Sequence, residues 1–81
     1  MLLKILSLNK IEYEDEVAGL NVKTSSGEIT VLNGHRPLVS VLVSGTAQIM
    51  TKDNKKIPFN IRSGFLEMDD KNRLNLLVDQ L

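Results

Sequence analysis

Residues 46–61 read TAQIMTKDNKKIPFNI, and this stretch decides the predicted fold. Apolar and polar residues alternate along 46–51, and a period of two is typical of a strand with one buried and one solvated face. The polar tip 52–56 separates this run from a second alternating run at 57–61. Pro58 has no backbone N–H to donate, so we predict that the second strand lies at an edge of its sheet. The stretch as a whole predicts a β-hairpin.

Short alternating runs of the same kind recur on both sides of this hairpin. Turn residues interrupt them about every 8–12 positions, a spacing typical of all-β sandwiches and barrels. These runs lie at residues 3–8, 17–23, 28–32, 38–43, 64–68 and 73–78. The sequence therefore predicts one domain over residues 1–81, an all-β fold built as a small β-sandwich of about 8–10 short, mostly antiparallel strands.

Three residues of these runs are predicted to lie in the core: Ile49, Phe65 and Leu76. Truncation of a buried phenylalanine removes packing and leaves a cavity, so Phe65→Ala would destabilise the domain by about 3–5 kcal/mol. The last run stays ambiguous, because Leu74, Leu77, Val78 and Leu81 also fit helical spacing and short apolar runs do not separate the two periods. A terminal helix is therefore an open alternative. The acidic run 14–16 is expected to be a solvated loop.

The composition excludes several classes of function. The ten basic and ten acidic residues cancel, so the chain lacks the cationic surplus that nucleic-acid binding requires. The absence of cysteine excludes disulfides and thiolate metal sites. No apolar run approaches the roughly 18–20 residues that span a bilayer. Lys4 interrupts the apolar stretch at residues 1–6, which therefore does not fit a signal peptide.

The chemistry-bearing residues do not form a recognisable catalytic or metal-binding pattern. His35 is the single histidine, and no spacing in the sequence places it beside a nucleophile or a second metal ligand. The acidic runs 14–16 and 69–70 lack calcium-loop spacing, and the turns 26–28 and 62–64 lack a phosphate-binding loop. We predict no catalytic, cofactor or metal site, and expect the domain to act by binding. A small enzyme or ligand binder would need a pocket near His35.

Three stretches resemble one known family. Residues 26–38, SGEITVLNGHRPL, resemble the pattern EGEFGVLPGHAPL of the epsilon subunit of F-type ATP synthases (delta in mitochondria). Residues 61–68, IRSGFLEM, resemble its VSGGFLEV, and residues 72–79, NRLNLLVD, resemble its NRVTVLAD. The resemblance covers essentially the whole chain, and the first stretch is the most specific. Asn33 and Arg36 depart from the family, which usually has proline and alanine at these positions.

The resemblance implies a central-stalk (rotor) subunit that links the gamma subunit to the c-ring and helps to couple ion flow to ATP synthesis. It implies no active site, no cofactor and no nucleic-acid partner, and a peripheral place at the cytoplasmic face of a bacterial-type cell membrane through the complex. Carried over by position, Ser26, Gly27 and Glu28 match the turn that meets the c-ring loops. His35 and Ser40 match positions close to gamma.

The sequence given ends at Leu81, where the family usually continues as a helical hairpin, so we expect either a piece of a longer chain or a naturally short form. The missing hairpin and the charged Arg36 motivate an alternative function. In this alternative the chain is a free-standing β-sandwich protein-interaction module derived from the same family. Capture of a gamma subunit would separate the two hypotheses.

Overall fold

The computed structural model describes residues 1–79, which form eight β-strands and no helix. This confirms the predicted all-β fold, and the eight strands fall within the predicted number of about 8–10. The strands are β1 Leu2–Leu6, β2 Ile11–Thr24, β3 Gly27–Leu32, β4 Leu38–Leu42, β5 Gly45–Thr51, β6 Lys56–Ile61, β7 Gly64–Met68 and β8 Arg73–Val78.

The long strand β2 is shared by the two layers of the sandwich. Its residues 11–16 pair with β1, and its residues 17–24 pair with β3 and β5. The pairing of β2 with β5 shifts register between Val17 and Gly19, and such an irregularity lets a strand bend. The first sheet has the order β2(11–16)-β1-β8-β7-β4, and the second has the order β3-β2(17–24)-β5-β6. All pairs are antiparallel except β1 with β8.

The core lies between the inward faces of the two sheets. Alternate side chains of each strand are buried there, as a pleated strand requires. Ile49 in the second sheet and Leu76 in the first are both fully buried, which confirms those two predictions. The other buried apolar residues are Met1, Leu3, Ile5, Val17, Leu20, Val22, Val31, Leu42, Ala47, Ile61, Leu66, Met68, Leu74 and Val78.

Phe65 lies outside this core, so the prediction that it is buried was wrong. Its side chain is 58% exposed, whereas Leu66 and Met68 on the same strand are fully buried. Since neighbouring side chains of a strand point to opposite faces, the inward orientation of Leu66 turns Phe65 outward. The loss of about 3–5 kcal/mol in stability that a buried phenylalanine would imply is therefore not expected for Phe65→Ala.

The hairpin 46–61 forms as predicted, and β6 lies at an edge of the second sheet with Pro58 opposite Gln48. The helical alternative at the end of the chain was wrong, since residues 73–78 pair as β8 with both β1 and β7. Leu81 of that alternative, and the last two residues of the predicted domain, lie outside the described residues. The acidic run 14–16 is exposed but belongs to β2 rather than to a loop.

Candidate functional site

The outward face of the first sheet is apolar. Val39, Val41, Phe65 and Leu77 are 75%, 46%, 58% and 54% exposed, and we call these four residues the apolar face. The strand register sets Val41 opposite Phe65 and Phe65 opposite Leu77, so three strands contribute one continuous row. Contiguous exposed apolar side chains are unfavourable in water and mark a binding surface.

Two depressions flank Phe65 on this face. One is lined by Leu8, Val41, Ser63, Gly64, Leu77 and Asp79 among others. The other is lined by Leu6, Val39, Glu67, Asn75 and Leu77 among others. Phe65 lines both, so the surface is a ridge between two shallow apolar hollows. This shape suits side chains of a protein partner better than a small ligand held by convergent polar groups.

Gly64 allows the strands beneath this ridge to approach closely. A Cβ atom built there would lie 2.2 Å from the backbone oxygen of Leu77, well inside van der Waals contact. The φ angle of Gly64 is 157°, at the limit of the region that favours glycine. Glycine at this position therefore holds Phe65 of β7 beside Leu77 of β8.

Polar groups border the apolar face. The Nη2 atom of Arg62 lies 2.8 Å from Oδ2 of Asp79, and both side chains are exposed beside the first depression. Glu67 stands opposite Val39 on one side and Asn75 on the other. An apolar centre with a polar rim is the usual anatomy of a protein–protein interface.

The outward face of the second sheet is polar instead. The Nδ2 atom of Asn21 donates to Oγ1 of Thr30 at 2.9 Å and to the Glu28 carboxylate at 3.2 Å. Thr46 Oγ1 donates to Oδ1 of Asn60 at 2.9 Å. Such cross-strand pairs are stable in contact with water, so most of this face is polar, although Leu32 of β3 is 54% exposed on it.

The predicted c-ring turn is a tight connection between β2 and β3. Oγ1 of Thr24 donates to the carbonyl of Gly27 at 2.7 Å and accepts the backbone N–H of Ser26 at 3.2 Å. Gly27 has a φ of 118°, which side chains disfavour, so glycine is needed there. Ser26 and Glu28 are exposed on this turn, and the Glu28 carboxylate is oriented by Asn21.

His35 lies beyond the opposite end of β3. Its backbone N–H donates to the carbonyl of Leu32 at 3.0 Å, and its Nδ1 lies 2.7 Å from the carbonyl of Arg36. The ring is exposed, and His35 lines neither of the two depressions beside Phe65. The structure therefore does not bring His35 together with residues 26–28, because the six residues of β3 separate them by about 20 Å.

Ser40 belongs to the inward side of β4, half-buried and opposite the buried Leu66. Its neighbours Val39 and Val41 point outward and belong to the apolar face. Our sequence reasoning missed this face. The run 38–43, LVSVLV, carried the signal, since a strand that is apolar in both phases of the alternation is covered on both sides.

The perturbed carboxylates lie in hairpin turns away from these surfaces. Burial raises the pKa of Asp69, but hydrogen bonds from the Arg73 side chain and from the backbone N–H groups of Lys71 and Arg73 outweigh it and lower the pKa. A hydrogen bond from Thr51 lowers the pKa of Asp53, with Lys55 contributing. Residues 1–79 bring no three His, Cys, Asp or Glu side chains together as a metal site. None of the described residues forms a helix of membrane-spanning length and hydropathy.

The family model described as ATP synthase, Delta/Epsilon chain, beta-sandwich domain matches residues 1–81. The ATP synthase epsilon chain of Streptomyces avermitilis is 32% identical over 76 residues, covering 94% of this chain and 60% of the relative. That of Roseiflexus sp. strain RS-1 is 34% identical over 77 residues, covering 95% of this chain and 54% of the relative. This chain thus spans no more than about 60% of the length of these two relatives.

Solved structures show the same fold. A chain of the mitochondrial ATP synthase of Euglena gracilis, described as OSCP/F1/c-ring in rotational state 1, matches with a TM-score of 0.91 and 24% identity. The match covers 96% of this chain and 49% of that chain. A chain of the Tetrahymena thermophila central stalk/c-ring assembly matches with a TM-score of 0.80 and 17% identity, over 98% of this chain and 63% of that chain. With its full length matched by the family model, this chain belongs to the delta/epsilon-chain family of ATP synthases and carries that family's β-sandwich domain.

Proposed function

We propose that this chain is a central-stalk subunit of the rotor of an F-type ATP synthase. In this function it joins the gamma subunit to the c-ring and helps to couple ion flow to ATP synthesis, without catalysing a reaction itself. It would sit peripherally at the cytoplasmic face of the cell membrane, held there by the complex. The observation that carries the proposal is the apolar face on a domain of this family.

The apolar face is the proposed docking surface for gamma. His35 and Ser40 match family positions close to gamma, and β4 begins shortly after His35 and includes Ser40. The same strand presents Val39 and Val41 outward, beside Phe65. A central aromatic side chain flanked by apolar hollows is typical of the residues that dominate binding energy in an interface.

The turn at Ser26, Gly27 and Glu28 is the proposed contact with the c-ring loops. It lies at the far end of β3 from His35, so one small domain presents two contacts about 20 Å apart. The hydrogen-bonded strands between them form a stiff body, which suits a part that turns with a rotor. Exposed ion pairs of Glu28 with basic loops would contribute only about 0–1 kcal/mol each, so most affinity would come from the gamma contact.

Capture of gamma tests the proposal directly. The tagged chain would be mixed with solubilised membranes of its own cells, and the bound proteins identified by mass spectrometry. We expect the parent chain to recover gamma and other ATP synthase subunits. Val41→Asp, in the apolar face, should lose most of this recovery. Thr46→Asp introduces the same charge at an exposed strand position of the second sheet and should retain it.

Loss of recovery in both variants, or in neither, would contradict the assignment of gamma to the apolar face. A well-folded parent chain that never captures gamma would favour the free-standing interaction module, whose partner would then use this face.

Cross-linking tests the two contacts separately. The chain has no cysteine, so a single introduced cysteine reports one position. Glu28→Cys should cross-link to a c-ring loop and Val39→Cys to gamma. Ser40→Cys should react less well than Val39→Cys, because Ser40 lies on the inward side of β4. A gamma adduct at Glu28→Cys would reverse the proposed orientation.

A further inference from the structure

The connection between β3 and β4 begins with a tight turn at residues 32–35. The backbone N–H of His35 donates to the carbonyl of Leu32 at 3.0 Å, and the φ angle of Gly34 is 78°. Asn33 precedes Gly34 and has a negative φ. These features define a type II turn, in which the second residue has a ψ of about +120° and the third needs the positive φ that glycine adopts. Asn33 and Gly34 are both exposed on this turn.

An asparagine followed by glycine, as at residues 33 and 34, is the dipeptide whose side chain cyclises most readily. The Gly34 nitrogen loses its proton and attacks Cγ of Asn33, so that a C–N bond forms and the side-chain nitrogen leaves as ammonia. Water then opens the five-membered imide to aspartate or to isoaspartate. Glycine favours the attack because it has no Cβ atom beside the nucleophile. The family pattern has proline in place of Asn33, and proline has no side-chain amide to lose.

Asn72, in the turn between β7 and β8, binds both reacting groups. Its Oδ1 accepts the N–H of Gly34 at 2.7 Å, and an amide oxygen is too weak a base to remove that proton. Its Nδ2 donates to Oδ1 of Asn33 at 2.6 Å and so fixes the side chain that would be attacked. The turn opposes the reaction as well. Ring closure needs the Gly34 nitrogen and the Asn33 Cβ atom nearly eclipsed about the Cα–C bond, and a ψ of about +120° holds them apart.

We propose that Asn33 is a site of spontaneous conversion to aspartate and isoaspartate, and that Asn72 sets the rate by holding Asn33 and Gly34 in the unreactive turn. Conversion then proceeds from an open form of the turn in which both bonds to Asn72 are broken. Its products place a new carboxylate beside His35 and Arg36, and isoaspartate also lengthens the backbone by one methylene. If the proposed function holds, conversion alters the surface near gamma, but the chemistry itself does not depend on that function.

Incubation of the folded chain at neutral pH, followed by peptide mapping with mass spectrometry, measures the conversion of Asn33. Asn72→Gly removes both hydrogen bonds, and glycine tolerates the φ of 61° at this position. We expect Asn33 to convert about five- to tenfold faster in this variant, as the loss of its restraining hydrogen bonds implies. Asn54→Gly is the matched control, because Asn54 also has a positive φ, 67°, but lies in the turn between β5 and β6. Asn33 should convert in this control at the rate of the parent chain.

A second variant keeps the test decisive if Asn72→Gly unfolds the chain. Asn72→Asp retains an oxygen for the N–H of Gly34 but cannot donate to Asn33 at neutral pH, so conversion should rise about two- to threefold. Slow amide hydrogen exchange in β8 would show that each variant is folded. The chain unfolded in urea gives the rate without the turn, which should exceed that of the folded parent about tenfold or more.

Two outcomes would overturn the proposal. One is conversion of Asn33 in every folded Asn72 variant at the rate of the parent chain. The other is equal conversion of the folded parent and of the chain in urea. Failure of the parent chain to capture gamma would contradict the proposed function and leave these results standing.

Discussion

The first and second sheets bury equivalent inward faces but present opposite outward faces. On the first sheet, the outward positions at the centre hold Val39, Val41, Phe65 and Leu77. On the second, they hold hydrogen-bonded polar side chains such as Asn21 with Thr30 and Thr46 with Asn60. Folding requires only one apolar face per sheet. The fold therefore does not require the second apolar face of the first sheet, and the proposed contact with gamma would account for it.

The largest effect should come from the inward faces, where the two sheets are expected to be alike. Leu76→Ala in the first sheet and Ile49→Ala in the second should each lower the free energy of unfolding by about 2–5 kcal/mol, because both side chains are fully buried. Urea denaturation followed by circular dichroism would measure both. A loss below about 1 kcal/mol in only one of them would show that the two sheets do not share a single core equally.

The next largest effect should be on binding: substitutions on the outward face of the first sheet should weaken gamma binding, and those on the second should not. Phe65→Ala should weaken gamma binding by about 2 kcal/mol or more, as truncation of a central aromatic anchor does. The same variant should change the free energy of unfolding by about 1 kcal/mol or less, because the ring is largely exposed already. Titration calorimetry and urea denaturation would give the two values. Thr46→Ala is the control for binding. A loss of about 3–5 kcal/mol in the free energy of unfolding of Phe65→Ala would show that Phe65 is buried after all.

A smaller effect concerns the chain without its partner. Exposed apolar surface favours self-association, so the isolated chain should associate weakly at high concentration through the apolar face. Phe65→Lys should raise the dissociation constant about fivefold or more, whereas Thr46→Lys adds the same charge to the polar face and should have little effect. Sedimentation equilibrium would measure both constants. Equal weakening by the two variants would point to net charge rather than to the apolar face.

The smallest effect concerns the hairpin turns, where both sheets should show the same dependence of stability on acid pH. The pKa values of Asp69 in the first sheet and Asp53 in the second are both lowered by hydrogen bonds to the carboxylate. A lowered folded-state pKa contributes stability above the unfolded pKa of about 4, and this contribution is lost as pH falls through the folded-state pKa. Asp69→Asn and Asp53→Asn should therefore each flatten the acid side of the melting-temperature profile slightly. Unchanged melting-temperature profiles below pH 4 in both variants would contradict the lowered pKa values of Asp69 and Asp53.

The failed prediction for Phe65 shows where the sequence was harder to interpret. In residues 64–68, GFLEM, the apolar side chains Phe65 and Leu66 are adjacent, so each of the two phases places one of them inward. Glu67 shares its phase with Phe65, and this was the local sign that Phe65 faces outward. Ile49 is also followed by an apolar residue, Met50, but its phase is marked by the apolar Ala47 two residues earlier, with the polar Gln48 between them. Its burial was predicted correctly.

The sequence by itself determined that the chain is all-β, where its turns fall, and which residues resemble the family, because these features depend on local periodicity and short motifs. Tertiary structure alone decided that Val41, Phe65 and Leu77 form one row and that Asn72 meets Asn33 and Gly34. These groupings arise from pairings between distant strands. The register of such pairings is set by the packing of the whole core, which no single segment encodes.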